Sequence, residues 1–186
     1  MTKKEKIIHA ALNLFAKHGY TETSISKIAK EAGVSKGLTY NHFKNKEDLL
    51  KSVVTGTIGE MTEGLINLEK LHIKKILQIH FQVLKSQKDL IRLCVLLVVH
   101  PETPPIVKEM LEKQQVELLQ VFTHLLKSKS DERGDLEARI LLATLDGITL
   151  EYITTGDENL LDKMEVYLIN RYTNLSSIIK SNKHEE

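Results

Sequence analysis

The chain has 186 residues, with 26 basic and 25 acidic side chains, one cysteine and no tryptophan. This length suits one or two domains with a substantial core. The single cysteine excludes an internal disulfide, and the longest apolar run, residues 93–99, is much shorter than the ~18 residues that cross a bilayer. No secretion signal is recognisable at the N-terminus. We therefore expect a cytoplasmic protein that has no membrane partner.

The charge is unevenly distributed along the chain. Residues 1–50 contain nine lysines, no arginine and five acidic residues, which gives +4, and the remainder carries −3. A basic N-terminal segment on a mildly acidic body favours a polyanionic partner for that segment alone. Lysine-rich surfaces also serve solubility, so the charge does not decide the function.

Three helices are predicted in the N-terminal segment, a longer one over residues 3–18 and two short ones over 25–31 and 36–42. Gly19 ends the first helix, and Gly33 supplies positive φ in a tight turn between the second and the third. Ser24, Ser35 and Asn45 are predicted to cap the second, third and fourth helices.

The rest of the chain is also predicted to be helical. A fourth helix runs from residue 46 to about 66 and contains Gly56, Gly59 and Gly64, which either soften the helix or allow close packing. More than one helix is predicted within residues 72–99, and single helices are predicted over 106–127, 135–155 and 158–179. Asp135 is expected to cap the helix that it begins. The fold class is therefore all-α. Residues 1–47 form an N-terminal three-helix domain, and a long helix joins it to a C-terminal helical bundle at 48–186.

The stretch EAGVSKGLTYNHF, residues 31–43, combines two glycines with hydrogen-bonding and aromatic side chains. Two short helices joined by a tight turn describe a helix-turn-helix unit, whose second helix enters the DNA major groove. Gly37 would let the backbone approach DNA, while Ser35, Lys36 and Thr39 can reach base edges or phosphates. Tyr40 and His42 carry donors at the rim, and the amides beside Lys46 suit a phosphate.

Residues 19–50, GYTETSISKIAKEAGVSKGLTYNHFKNKEDLL, resemble the signature of the TetR (tetracycline repressor) family of bacterial transcriptional regulators. The matching positions are Gly19, Thr23, Ile28, Ala29, Ala32, Gly33, Val34, Ser35, Gly37, Tyr40, Phe43, Lys46 and Leu49. The resemblance implies a homodimer that binds a palindromic double-stranded DNA operator and is released by a small-molecule effector bound in the C-terminal bundle. It implies phosphate contacts for Ser24, Tyr40, His42 and Lys46, with Thr23 as a further candidate. It implies groove-reading roles for Ser35, Lys36, Gly37 and Thr39.

Two further sets of residues belong to the predicted bundle. The residues that could line an effector cavity, or simply fill the core, are His80, Phe81, Leu84, Cys94, Leu97, Met110, Phe122, Asp146 and Tyr152. The stretch LLATLDGITLEYI is similar to the first dimer helix of the family. The predicted dimer residues are Leu141, Leu145, Gly147, Ile148, Leu168 and Tyr172.

Other functions find less support in the sequence. The histidines show no ligand-pair spacing with cysteines or carboxylates, so no metal site and no cofactor are predicted. The sequence shows no phosphate-binding loop, nucleophile elbow or pair of carboxylates at useful spacing, so nothing in it indicates an enzyme. The remaining alternative is a helical DNA-binding regulator without a small-molecule ligand, controlled by a protein partner or by its own concentration.

Overall fold

A computed structural model describes the backbone of residues 1–63, 72–126 and 133–181, and the side chains of residues 1–56, 72–126 and 134–173. Within these ranges the chain forms nine α-helices and no strand, which confirms the predicted all-α class. In chain order they are α1 (Lys3–His18), α2 (Ile25–Glu31), α3 (Lys36–His42), α4 (Lys46–Glu63), α5 (Ile73–Ser86), α6 (Lys88–Val99), α7 (Pro105–Leu126), α8 (Arg133–Thr155) and α9 (Glu158–Ser181).

Side-chain caps fix the N-terminal helices where the sequence predicts them. The Ser24 hydroxyl accepts a hydrogen bond from the Lys27 amide, and the Ser35 hydroxyl accepts one from the Leu38 amide. Asn45 Oδ1 accepts from the amide of Asp48 at 2.7 Å. These contacts satisfy amides that have no partner within the helix.

One helix boundary differs from the prediction. Helix α8 begins at Arg133, so Asp135 lies within its first turn instead of capping it. An acid there still interacts favourably with the helix dipole. The helices predicted over 72–99 are α5 and α6, which are separated at Gln87, whose backbone (φ −124°, ψ 36°) leaves the helical region. The predicted end of the fourth helix near residue 66, and with it Gly64, lies outside the described residues.

The contacts divide the chain into two compact units that differ from the predicted domains 1–47 and 48–186. Unit 1 comprises residues 1–63 and 87–112, and unit 2 comprises residues 64–86 and 113–186. The difference arises because the core of unit 1 continues beyond the first four helices. The buried apolar residues that α6 and the start of α7 add to this core are Leu93, Leu97, Val107 and Leu111.

Unit 2 contains α5, α8, α9 and the C-terminal part of α7. Helix α5 packs along α9, and Lys85 forms ion pairs with Asp162 at 2.8 Å and Glu165 at 3.0 Å. Hydrogen bonds to these two carboxylates raise the pKa of Lys85. Phe81 and Leu84 of α5 are fully buried, as is Phe122 of α7.

The predicted dimer residues lie in the interior of the chain, with one exception. Leu141, Leu145, Ile148, Leu168 and Tyr172 are all buried within the single chain. They are therefore not available as a surface for a second copy, and this part of the prediction requires correction. Gly147 is the exception, since it is exposed and an added Cβ would meet nothing within 4 Å.

Helix α8 has apolar residues on two sides, which explains the error. The side that was chosen from the sequence is the one that fills the core. Among the described side chains of the two C-terminal helices, the large exposed apolar residues are Leu136, Ile140 and Leu150 on α8 and Val166 and Tyr167 on α9. A helix that is apolar on most sides is expected to be covered all round.

Candidate nucleic-acid interface

A short turn fixes α3 against α2. Gly33 adopts φ 64°, a conformation that glycine takes readily, and its amide donates to the carbonyl of Lys30 at 3.1 Å. The amide of Val34 donates to the carbonyl of Ala29 at 2.9 Å. Beyond α3, Phe43 is 2% exposed and belongs to the core of unit 1. Helix α3 is therefore held at both ends, as the second helix of a helix-turn-helix unit requires.

The outward side of α3 carries a compact group of polar side chains. Lys36, Tyr40, Asn41 and His42 are exposed, and the Lys36 ammonium lies 5.9 Å from the centre of the Tyr40 ring. A Cβ on Gly37 would meet only Ser35 Oγ, at 4.0 Å. The chain's own packing therefore does not require glycine at this position. Its small size is consistent with close approach by an external surface.

Thr39 does not lie on this outward side. Its side chain is 0% exposed, and its hydroxyl donates to the carbonyl of Ser35 at 3.4 Å. The predicted groove-reading role of Thr39 does not fit this position, because the neighbouring residues cover the hydroxyl. Thr39 lies three positions after the exposed Lys36, and residues at this spacing lie on the same side of a helix. The spacing alone therefore did not indicate that Thr39 points inward.

Thr23 is also buried. It is 1% exposed, and its hydroxyl hydrogen bonds to the carbonyls of Gly19 at 2.8 Å and Leu14 at 3.3 Å. A phosphate cannot reach this hydroxyl in the structure, so the predicted backbone contact of Thr23 does not fit either. Its position indicates that it ties the turn between α1 and α2 to the end of α1.

The serine caps remain compatible with DNA contact. Ser24 and Ser35 are exposed, and each hydroxyl oxygen accepts an amide hydrogen bond. A serine that accepts through a lone pair still has its own hydrogen to donate. Each cap can therefore hold its helix and donate to a phosphate oxygen.

Lys46 is held by backbone carbonyls. Its ammonium donates to the carbonyl of Tyr20 at 3.0 Å and to that of Thr21 at 3.3 Å, and it lies 4.3 Å from the centre of the Tyr20 ring. A lysine ammonium has three donors, so one remains after these two bonds. Lys46 is thus fixed in place with one donor left for a phosphate.

The amides that begin α4 are less suited to a phosphate than the sequence suggested. The Asp48 amide is occupied by Asn45, and the Asp48 carboxylate accepts from the Lys44 amide at 2.9 Å. Glu47 and Asp48 also place two negative charges in the first turn. These charges oppose the attraction that a helix N-terminus has for an anion.

Two exposed lysines on this side of unit 1 were not singled out in the sequence. Lys44 directly follows Phe43, and the Lys4 ammonium lies 6.0 Å from the centre of the Phe43 ring. Lys44 could have been found from its place in the motif. Lys4 could not, because the fold brings it to Phe43 from the far end of α1. The start of α1 is fixed by a capping box between Thr2 and Glu5, whose T-x-x-E pattern is visible in the sequence.

The residues predicted to line an effector cavity are divided between the two units. Cys94, Leu97 and Met110 pack in or against the core of unit 1. Phe81, Leu84, Phe122 and Tyr152 are buried residues that belong to unit 2. Asp146 is exposed, and its carboxylate accepts from the Gln115 side chain at 3.3 Å. Partial desolvation raises the pKa of Asp146, and the Gln115 bond opposes this shift.

Burial shifts the pKa values of His80 and Cys94 strongly. The Nε2 atom of His80 is buried without a hydrogen-bond partner among the described residues, and burial lowers the pKa of His80 to about 4. Its ring contacts that of Phe81 edge-on at 5.6 Å. Burial raises the pKa of the Cys94 thiol to about 12. At neutral pH His80 is therefore uncharged, and Cys94 lacks the thiolate that a reactive cysteine needs.

Two grooves on the surface of unit 2 contain none of these predicted residues. The larger, of about 350 Å³, is lined by Lys75, Gln78, Gln82, Lys85 and Glu165. The second, of about 300 Å³, is lined by Leu119, Gln120, Thr123, His124, Asp135 and Arg139. Among the described residues, no three histidine, cysteine or acidic side chains are placed to hold a metal ion. In the same part of the chain no helix has the length and apolarity to span a membrane.

Comparison with known proteins supports the helix-turn-helix assignment. Residues 7–53 match the family described as "Bacterial regulatory proteins, tetR family". The chain is 32% identical over 162 residues to the fatty acid metabolism regulator protein of Bacillus subtilis, and the match covers 83% of the chain and 70% of that protein. The chain belongs to the TetR family.

A second relative and a solved structure are also similar to this TetR-family protein. It is 31% identical over 186 residues to the uncharacterised HTH-type regulator YerO of B. subtilis, covering 93% of the chain but only 64% of YerO. The solved structure of the fatty acid degradation regulator FadR from Bacillus halodurans shares its fold, with a TM-score of 0.69 at 22% identity over 89% of this chain and 97% of that one.

The family match ends within α4. The TetR-family signature therefore covers the helix-turn-helix unit but not residues 87–112, which complete the core of unit 1. The relatives are transcriptional regulators, and this TetR-family protein is one as well.

Proposed function

We propose that the protein is a repressor that binds a palindromic operator as a homodimer, with α3 in the major groove of each half-site. The observation that carries the proposal is the outward side of α3, where Lys36, Tyr40 and His42 are exposed on a helix anchored by Thr39 and Phe43. Side chains that are presented from a fixed helix can read base edges, whereas phosphate contacts set the position of the protein. Because its target is DNA, the protein acts in the cytoplasm.

The roles of the individual residues follow from their positions. Lys36 reads base edges, with Ser35 and Gly37 at the point of closest approach, because these three begin α3 and are exposed. Ser24, Tyr40, His42 and Lys46 contact phosphates. Thr23 and Thr39 are excluded from both sets because they are buried.

A homodimer explains the exposed apolar stripe on α8. Leu136, Ile140, Gly147 and Leu150 recur at helical spacing along one side of α8. The glycine leaves room at the middle of this side for the backbone of a second copy. Two-fold pairing would cover the stripe and would match the two-fold symmetry of a palindromic operator.

We propose a fatty acid or fatty acyl derivative as the effector. Two of the relatives described above are named for fatty acid metabolism or degradation. The interior of unit 2 is apolar at Phe81, Leu84 and Phe122. The Nε2 atom of His80, which has no hydrogen-bond partner among the described residues, is a polar group that a ligand could satisfy. Regulation without a small molecule is the alternative, and the ligand experiment below separates the two.

Selection from a random pool of duplexes tests the DNA-binding proposal. We expect wild-type protein to enrich a palindrome whose half-site centres are one helical turn apart, about 34–36 Å. Enrichment of no sequence, or of a motif without two-fold symmetry, would contradict it.

Titration of the protein–operator complex with fatty acids and their thioesters of increasing chain length tests the effector proposal separately. We expect chain-length-dependent release of DNA, together with a raised melting temperature of the free protein. Operator binding that no acyl compound changes would contradict the effector class and leave the DNA-binding proposal standing.

A further inference from the structure

The turn between α1 and α2, residues 19–23, is held by side-chain hydrogen bonds to its carbonyls. Lys46 donates to the carbonyls of Tyr20 and Thr21, and the Lys27 ammonium donates to that of Glu22 at 3.1 Å. The Thr23 hydroxyl bonds to the carbonyl of Gly19. Four successive carbonyls of the turn thus have side-chain donors, which fixes the path by which the chain enters α2.

One contact ties this turn to a distant part of unit 1. The hydroxyl of Thr21 donates to the Glu102 carboxylate at 3.2 Å, across 81 positions of sequence. Glu102 lies in the segment between α6 and α7, outside the part of the chain that matches the family. The contact is therefore a direct polar link between that segment and the helix-turn-helix unit.

The segment that carries Glu102 is itself firmly held. The Glu102 amide donates to His100 Nδ1 at 3.2 Å, and the Thr103 amide donates to the carbonyl of His100 at the same distance. The Thr103 hydroxyl, 7% exposed, donates to the carbonyl of Leu97 at 2.7 Å. Leu97 is part of the core against which α1 packs. Glu102 therefore projects from a fixed support rather than from a loose loop.

We propose that Glu102 is a positioning residue for DNA binding, which acts through Thr21 to set the orientation of α2 and α3. Thr21 lies three positions before Ser24, which caps α2. Any displacement of the turn moves that cap and, through the Gly33 turn, the reading helix. The inference rests on the proposed function, because it assigns a role in binding an operator.

The charge of Glu102 allows an experiment to separate a positioning role from simple repulsion between this carboxylate and the DNA phosphates. A carboxylate near a DNA-binding surface repels phosphates, so its removal would raise DNA affinity if charge were its only effect. A positioning role predicts the opposite, since loss of the acceptor releases Thr21. The two accounts therefore give changes of opposite sign.

The test compares Glu102→Ala, Glu102→Gln and Thr21→Val, with the double variant of Glu102→Ala and Thr21→Val. The probe is the duplex that wild-type protein selects from a random pool, with a scrambled duplex alongside. Glu109→Ala is the matched control, since it removes the same charge from α7 of the same unit. Amide hydrogen exchange over residues 20–24 provides a readout that needs no DNA.

We expect Glu102→Ala and Thr21→Val each to weaken binding to the selected duplex by about two- to tenfold, the range for one net hydrogen bond. The double variant should be no weaker than either single one, because both remove the same contact. Glu102→Gln should retain near wild-type affinity, since its amide oxygen still accepts. Binding to the scrambled duplex should change little, and exchange over residues 20–24 should rise in Glu102→Ala but not in Glu102→Gln.

Tighter binding by both Glu102→Ala and Glu102→Gln would overturn the proposal in favour of charge repulsion. Unchanged exchange and unchanged affinity in Glu102→Ala would overturn it outright. If the wild-type protein selected no duplex, the proposed function would fail, and the exchange measurement would still decide whether Glu102 orders the turn.

Discussion

Lys36 and Lys46 are both cations of the helix-turn-helix unit, but their surroundings predict different effects on DNA binding. Lys36 is exposed on α3, so Lys36→Ala should change which base is preferred at one position by about 1–3 kcal/mol. Lys46 is fixed by two carbonyls with one donor left, so Lys46→Ala should weaken all duplexes alike. Its loss should also lower the slope of log affinity against log salt by about 0.9, the value for one phosphate. Competition binding at several salt concentrations measures both quantities.

Lys17→Ala serves as a control for the loss of a positive charge, because Lys17 is an exposed residue of α1. A uniform loss of affinity for all duplexes in Lys36→Ala would contradict its base-reading role. An unchanged salt slope in Lys46→Ala would mean that this residue only holds the turn.

Thr39 is expected to affect stability and not sequence preference. Because its side chain is fully buried, Thr39→Ala leaves a small cavity and should lower the free energy of unfolding by about 1–2 kcal/mol. Thr39→Val keeps the shape and should cost less. Urea unfolding gives the stability, and selection from a random pool gives the preferred duplex. An altered preference at unchanged stability would show that the hydroxyl reaches DNA after all.

His80 should make the stability of the protein depend on pH. Its pKa is about 4 in the folded chain, against an ordinary value of 6.5, because burial disfavours the charged ring. Between these values the unfolded state binds a proton that the folded state does not, so this stability is present above pH 6.5 and is lost as the pH falls towards 4. Across this window we expect the free energy of unfolding to fall by roughly 3 kcal/mol, with a slope of at most ~1.4 kcal/mol per pH unit.

Urea unfolding between pH 4.5 and 7.5 in wild type and His80→Leu measures this effect, with the exposed His72→Asn as control. The leucine variant should lose the dependence in this window, and the control should retain it. An equal slope in all three proteins would rule out His80 as its source.

Helix α4 contains a glycine, Gly56, whose surroundings bear on whether the helix can bend. Gly56 is exposed, and an added Cβ would meet nothing within 4 Å, so close packing within the chain does not explain it. The surroundings of Gly59 lie outside the described side chains. Softness of the helix that links the DNA-binding helices to the rest of the chain is the role that we predict for Gly56.

Gly56→Ala combined with Gly59→Ala should stiffen α4 and alter the coupling between effector and DNA. Replacing glycine in a helix by alanine should add up to about 1 kcal/mol of stability per position. Operator affinity should be measured with and without an acyl effector in wild type and in the double variant. A variant that folds normally and shows the same effector-dependent change in affinity would exclude a hinge at these glycines.

The helices of this chain were predictable to the extent that local chemistry determines them. The caps at Ser24, Ser35 and Asn45 and the positive φ of Gly33 depend on a few neighbouring residues, and the structure confirms all four. Helical spacing, by contrast, identifies an apolar side but not what covers it. For this reason the buried side of α8 was mistaken for a dimer surface, and Thr39 for an exposed residue.

The parts of the candidate site that were missed depend on contacts between distant segments. Nothing in the local sequence indicates that Thr21 would meet Glu102, or that Lys46 would be held by the carbonyls of a turn 25 positions earlier. The division of the predicted cavity residues has the same origin. Cys94 and Leu97 have the composition of bundle residues, but the fold places them in unit 1.

The exposed stripe on α8 should control whether two copies of the chain assemble. Ile140 is 45% exposed and Gly147 has open space around it, so changes there should leave the folded monomer intact. Gly147→Leu would overfill a close contact between two copies, and Ile140→Glu would bury an unpaired charge. Each should raise the dissociation constant of the dimer at least tenfold, an effect of about 1.4 kcal/mol. Light scattering and sedimentation over a concentration series measure it.

Val116→Glu is the matched control, because Val116 is an exposed apolar residue of α7 outside the stripe. The control should remain dimeric. A monomeric wild-type protein at micromolar concentration would contradict the homodimer, and dimeric Gly147→Leu and Ile140→Glu variants would place the interface elsewhere.

The discontinuous make-up of unit 1 also has a consequence for synthesis on the ribosome. Its core needs Leu93, Leu97, Val107 and Leu111, which emerge after the four helices that they cover. At roughly 5–20 residues per second, the interval between the end of α4 and Leu111 lasts about 2–10 s. During that time the apolar residues of α1 and α4 lack part of their partners. The nascent DNA-binding helices should therefore bind chaperones in this interval, and a ribosome stalled before α6 should carry a protease-sensitive chain.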